Sequence, residues 1–230
     1  MEGLIQNSIF AGVMLSFLSY EAGLWLRKKF NYAIVNPLLV AIVIIIVILS
    51  IFDIDYKTYE AGAKYLSYFL TPATVSLAVP LYEQTQLLKQ NFKAILAGIL
   101  AGALTSAGCV LVLSALLGLS HQEYVTLLPK SITTAIGMGI SQELGGVVTI
   151  TVAVIIVTGI LGNIMAETVC RLFRIEEPVA KGIAIGSAAH AVGTAKAMEM
   201  GEIEGAMSSL SITVSGVITV FLAPLFAGFL

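Results

Sequence analysis

Six stretches of this chain carry no Asp, Glu, Lys or Arg: residues 3–20, 30–52, 65–82, 94–122, 144–166 and 205–230. A helix needs roughly 20 apolar residues to cross the hydrocarbon of a bilayer, and these runs are of that order or longer. Charged residues make up 11% of the 230 and hydrophobic ones 58%, against about 25% charged in an ordinary soluble domain. A water-soluble core of this size cannot bury so much apolar side chain. The two-residue alternation of a membrane β-barrel is missing. The expected fold is therefore all-α: a polytopic helical bundle forming a single membrane domain over residues 1–230.

Residues 4–26 read as a retained first helix. The basic cluster Arg27-Lys28-Lys29 follows the apolar run instead of preceding it, which is the reverse of a cleavable signal. Residues 34–52, 92–117, 147–170 and 205–229 read as ordinary spans. Three other segments read as interrupted: 65–88 with Pro72 and Pro80, 127–146 with Pro129, Gly137, Gly139 and Gly145-Gly146, and 182–201 with Gly186 and Gly193. Gly and Pro free backbone polar groups, which lipid cannot satisfy, so such segments are buried in protein or line a wet cavity. The competing reading is plain helix packing, since small residues let helices approach closely.

Lys and Arg in short loops favour the cytoplasm. Arg27, Lys28 and Lys29 then put the N-terminus outside, and Lys89, Lys93, Arg171, Arg174 and Lys181 all fall inside if 127–146 dips in and returns. That arrangement has seven crossings and one re-entrant segment, or eight crossings if the charge rule fails there. Two trios of segments, each with an interrupted member, suggest inverted repeats over about 30–120 and 121–230. Such repeats are the mark of secondary transporters with a site near the midplane, here of elevator type.

Three polar clusters stand out. Lys130 lies in Leu128-Pro129-Lys130-Ser131-Ile132-Thr133-Thr134, followed by the charge-free residues 131–142. A cation inside a membrane segment is a functional-site candidate, and the other reading is a Lys that snorkels to the interface. Ser131, Thr133 and Thr134 follow Pro129 where a half-helix can begin, and free N–H groups at a helix start attract anions. Together they make a small-anion site, or Ser and Thr only cap a helix. His190, with Gly193 and Thr194, forms the second cluster. Its imidazole can carry a proton or touch substrate, or it can bridge helices as a neutral group. Glu83 and Gln84 close the Pro-interrupted segment, and Glu83 can bind a coupling cation or sit at the interface. Lys196 can pair with Glu199 at helical spacing.

Net charge is −2, so nothing implies a nucleic-acid partner. Cys109 and Cys170 lie in apolar helices with neither disulfide nor metal spacing. No cofactor motif and no nucleophile–base constellation is present, so no enzyme is expected.

The stretches Asn36-Pro37-Leu38-Leu39-Val40-Ala41, Pro80-Leu81-Tyr82-Glu83-Gln84, Leu128-Pro129-Lys130-Ser131 with Thr133-Thr134, and His190-Ala191-Val192-Gly193-Thr194-Ala195 resemble the LrgB family of bacterial membrane proteins, which includes CidB and YohK. Glu204-Gly205-Ala206, Ser208-Ser209-Leu210 and Ala223-Pro224 extend the resemblance, which runs from about residue 10 to the C-terminus. It implies a multi-pass protein of the bacterial cytoplasmic membrane, acting beside a small LrgA- or CidA-like partner in the bilayer. The family was first described as holin- or antiholin-like, influencing murein hydrolase activity and cell lysis. Other members resemble transporters of small monocarboxylates such as pyruvate, and the plastid glycolate/glycerate translocator resembles a fusion of the two partners. Carried over, Lys130, Ser131, Thr133, Thr134, His190, Gly193 and Thr194 become substrate-binding candidates. Asn36, Glu83, Gln84 and Lys196 become coupling or gating candidates, with H+ or Na+ as coupling ion. A homodimer is expected by analogy with such transporters.

Overall fold

A computed structural model describes residues 10–30, 35–69, 72, 75–76 and 78–230. The chain divides into two compact units, 1–76 and 77–230.

In the first unit, α1 (Ala11–Phe30) ends on Arg27, Lys28 and Lys29, where cations complement the negative end of the helix dipole. Residues 4–9 of the expected first helix lie outside the described residues, as does Ile34 at the start of the expected second span. α2 (Pro37–Ile51) starts on Asn36, whose side-chain oxygen accepts from the N–H groups of Leu38 (2.9 Å) and Leu39 (3.2 Å). Pro37 occupies a first-turn position that needs no N–H donor. α3 (Tyr56–Ala63) runs into a 3-10 turn, Lys64–Phe69. Of the interrupted segment 65–88, residues 70, 71, 73, 74 and 77 lie outside the described residues.

The second unit contains α4 (Ala78–Glu83), α5 (Thr85–Leu117), α6 (His121–Leu127), α7 (Thr134–Glu143), α8 (Val148–Leu172), α9 (Pro178–Met200) and α10 (Glu202–Ala227). Among the described residues, α5, α8 and α10 are long and apolar enough to cross a membrane. They match the expected spans 92–117, 147–170 and 205–229 closely. α5 begins earlier, at Thr85, because a helix can run past the hydrocarbon and carry Lys89 and Lys93 on its first turns.

α6 and α7 form a hairpin. Ser120 caps α6 through a reciprocal box with Glu123, and the hydroxyl and backbone N–H of Ser120 hold the Glu123 carboxyl below its ordinary range. α7 ends in a left-handed Gly145 (φ 79°), with the N–H of Gly146 donating to Ser141 O at 2.7 Å. This closing turn returns the chain to α6. The N–H of Val147 donates to the Thr126 hydroxyl at 2.8 Å, and the Gln122 amide donates to Gly145 O at 3.4 Å. Entry and exit therefore share one end of the bundle, as expected for 127–146.

α9 is a second hairpin, and here the structure corrects the expectation of a crossing over 182–201. The helix breaks at His190 (φ 42°, ψ −141°). Beyond it, a side chain on Gly193 would lie 3.2 Å from the carbonyl oxygen of Ile185, a contact that a straight helix, rising about 12 Å between the two residues, does not allow. Contacts with α10 agree. Gly182 faces Glu204 and Gly186 faces Ser208 along the first arm, while Thr194 meets Ser208 and Met198 meets Gly205 along the second. The arms are thus antiparallel, and both begin and end beside the start of α10. α10 then crosses, and Nδ1 of His121 donates to the backbone oxygen of Leu230 at 3.1 Å.

The two hairpins enter from opposite ends. Tyr124, Val125, Leu128, Ile132 and Ile140 of the first pack on Ala107 and Val110 of α5 and on Ala223 of α10. Val179 and Ile183 of the second pack on Ile95 and Ile99 of α5 and on Met207 of α10. Single cysteines at Gln122, Gly145 and Phe229, in a background without Cys109 and Cys170, are expected to react with an impermeant maleimide from one face of the membrane. Cysteines at Arg174 and Glu199 should react only from the other. Labelling of Glu199 from the Gln122 face would restore a crossing for 182–201.

Candidate functional site: a cavity ending at Lys130

The tip of the first hairpin is a tight turn in which the N–H of Lys130 donates to Leu127 O at 3.1 Å. The turn carries Lys130 away from the buried Pro129 and into a cavity of about 770 Å³. One wall is α5, with Asn91, Gly98, Gly102 and Ser106, and the other is the first arm of α9, with Glu177, Ile183 and Ser187. Gly98 and Gly102 let that arm approach, since a side chain at Gly102 would meet the Ser187 hydroxyl at 2.9 Å. The cavity runs from Asn91 and Glu177, at the end where α9 enters, to Lys130, Ser131 and Cys109.

The Lys130 ammonium donates to the Ser131 hydroxyl at 2.9 Å, and Ser106 donates to the same oxygen at 3.1 Å. Among the described residues no carboxylate lies within ion-pair distance of Lys130. Thr133 is the N-cap of α7 without a side-chain capping bond, and Thr134 is its first residue. Neither threonine lines the cavity. The Lys130 ammonium, with the Ser131 and Ser106 hydroxyls beside it, can neutralise one small anion.

A second cavity of about 10 Å³ adjoins the first, lined in part by Ser106, Ser131, Ser187, Ser215 and Thr219, and is the size of a single water. The Ser215 hydroxyl is buried with no hydrogen-bond partner among the described residues. Hydroxyls from both hairpins, α5 and α10 converge here. Sequence reasoning named Ser131 but missed Ser106, Ser215 and Thr219, and read Cys109 only as a residue of an apolar helix.

The other candidates fall elsewhere. Nε2 of the buried His190 donates to Ile155 O of α8 at 2.9 Å, and its ring fills the space left by Gly159. It bridges helices and does not line the large cavity. Gly193 packs the two arms of α9 together. The Thr194 hydroxyl donates to His190 O at 3.0 Å and accepts from Ser208 at 2.6 Å, locking the turn. Lys196 pairs with Glu167 (2.5 Å) and Glu199 (3.3 Å). Glu83 ends α4 and Gln84 is the N-cap of α5, both on a groove with Tyr82 and Gln90 away from Lys130. Asn36 caps α2 in the first unit. No group of His, Cys, Asp and Glu able to hold a metal occurs among the described residues.

The model of the LrgB-like family matches residues 16–229. Antiholin-like protein LrgB of Bacillus mycoides (strain KBAB4) is 37% identical over 220 residues, covering 95% of this chain and 96% of that protein. The LrgB proteins of Bacillus cereus (strain B4264) and Bacillus anthracis (strain CDC 684 / NRRL 3495) match with the same identity and coverage. No solved structure matches significantly. With matches over nearly its whole length, this multi-pass membrane chain belongs to the LrgB family.

Proposed function

We propose that the chain is a secondary carrier of small monocarboxylate anions, pyruvate- or glycolate-like, coupled to H+ or Na+ and working with an LrgA-like partner in the bacterial cytoplasmic membrane. The observation that carries this reading is the Lys130 ammonium, without a carboxylate partner among the described residues, at the inner end of the 770 Å³ cavity. One cation neutralises one charge, and a second negative charge would stay uncompensated in a low-dielectric site at high cost. The walls mix small apolar residues with a few hydroxyls, which suits a short acid. Opposed hairpins support alternating access, in which one element moves against another around a fixed site. α5 with the first hairpin, and α8 with the second, run oppositely, which supports an inverted repeat over these segments in place of units at about 30–120 and 121–230. Lys89, Lys93, Arg171, Arg174 and Lys181 gather at the α9 end, while the opposite end carries Glu123 and Glu143. That asymmetry supports a cytoplasmic α9 end.

The names of the Bacillus relatives favour a second reading, an antiholin-like regulator of murein hydrolase activity and lysis. Proteoliposomes with this chain, alone and with an LrgA-like protein, separate the two. Carriage gives saturable uptake of labelled pyruvate or glycolate while entrapped dye stays inside. Dye leakage, or no uptake in either preparation, overturns the carrier.

A further inference from the structure

The end of α8 holds a cluster that neither hairpin uses. A cavity of about 310 Å³ is lined by Arg171, Arg174, Lys181, Glu167, Glu176 and Met200, among others. No carboxylate lies within ion-pair distance of the three cations among the described residues. Of the two acids, Glu167 is already engaged by Lys196 at 2.5 Å. The cavity therefore carries an excess of positive charge.

Its geometry is built around an unusual turn. Arg174 adopts a left-handed conformation, φ 54°, where glycine is the common residue. The N–H of Ile175 donates to Cys170 O at 2.8 Å across this turn. The turn brings Arg174 back beside Arg171 on the wall of one cavity. Between them, Leu172 and Phe173 are 73% and 70% exposed, at the end of a helix apolar enough to cross the membrane. Cations at the headgroup level next to apolar side chains at the hydrocarbon edge match the two halves of an anionic lipid.

We propose that Arg171, Arg174 and Lys181 form a binding site for the phosphate of an anionic phospholipid, with Leu172 and Phe173 against its acyl chains. The site rests on the fold alone and is independent of carriage at Lys130.

Native mass spectrometry of the full chain in detergent, titrated with phosphatidylglycerol, phosphatidylcholine and inorganic phosphate, tests it. Phosphatidylglycerol should bind about ten-fold more tightly than phosphatidylcholine, and each lost cation should weaken it about five-fold. Arg174→Gly isolates the charge, because glycine suits the left-handed turn and keeps the fold. Arg171→Gln with Lys181→Gln provides a second variant. Equal binding of the two lipids, or unchanged phosphatidylglycerol binding in both variants, overturns the site. Inorganic phosphate binding as tightly as phosphatidylglycerol overturns the lipid assignment, since the apolar pair would then contribute nothing.

Discussion

Lys130→Met is expected to abolish carboxylate uptake and, at the same time, to raise the melting temperature. The two effects have one cause. In the empty protein the ammonium has the Ser131 hydroxyl as its hydrogen-bond partner among the described residues, so part of its hydration is lost without an opposite charge to replace it. Methionine fills the same volume without that cost, and a gain of about 1 kcal/mol would move the melting temperature by roughly 2–4 °C. Bound substrate reverses the balance, because its carboxylate becomes the missing partner. Truncating one side of a buried charge pair costs about 2–5 kcal/mol, which is a loss of roughly 30-fold to several thousand-fold in affinity. Uptake assays and thermal melts on the same preparations check both halves. A variant that transports normally would remove Lys130 from the site. One that loses transport and stability together would make Lys130 a structural residue.

Gly186→Leu is expected to prevent the second hairpin from seating. A side chain at Gly186 would fall on the backbone oxygen of Ser208, and its first carbon would lie 2.8 Å from both Ser208 Cα and Ser211 Cβ. Two of these are backbone atoms of α10 and cannot rotate away. The arm must lift from α10, giving up the packing of Ile183 on Met207 and the bond between Thr194 and Ser208. Destabilisation of about 4 kcal/mol or more follows, in the range of core disruption, and reads out as lost yield and a collapsed melting transition. Gly108→Ala is the control. Nothing lies within 4 Å of a side chain there, and alanine gains up to about 1 kcal/mol over glycine inside a helix. Its melting temperature should hold or rise. A folded Gly186→Leu protein with an unchanged melting temperature would contradict the close seating of the arm on α10.

Three of the six charge-free runs, 94–122, 144–166 and 205–230, became the membrane-length helices α5, α8 and α10, because lipid admits little else, while the run at 30–52 gave only the shorter α2 among the described residues. The first hairpin was partly legible. The basic residues flanking α8 fit a chain that turns back over 127–146, but the sequence also allowed that segment to cross. The second hairpin was not. Its reversal falls on His190 between alanines, whereas Gly186 and Gly193, which look like breaks, are flat places where arms and helices touch. Periodicity reports which residues face one another along a helix and says nothing of a single residue that leaves it. The missed hydroxyls have a similar origin. Serines and threonines in apolar helices usually donate to the carbonyl one turn back, as Ser187, Ser211 and Thr219 do here. Ser215 makes no such bond, and nothing in its neighbourhood of the chain distinguishes it.

Ile155 of α8 serves two masters. Its side chain fills the gap left by Gly137 in the first hairpin, and its carbonyl receives the imidazole of His190 from the second. Packed interiors switch between discrete arrangements and do not stretch smoothly. One amino acid is therefore a common fulcrum for both tips, so neither can withdraw from the middle of the bundle without disturbing the footing of the other.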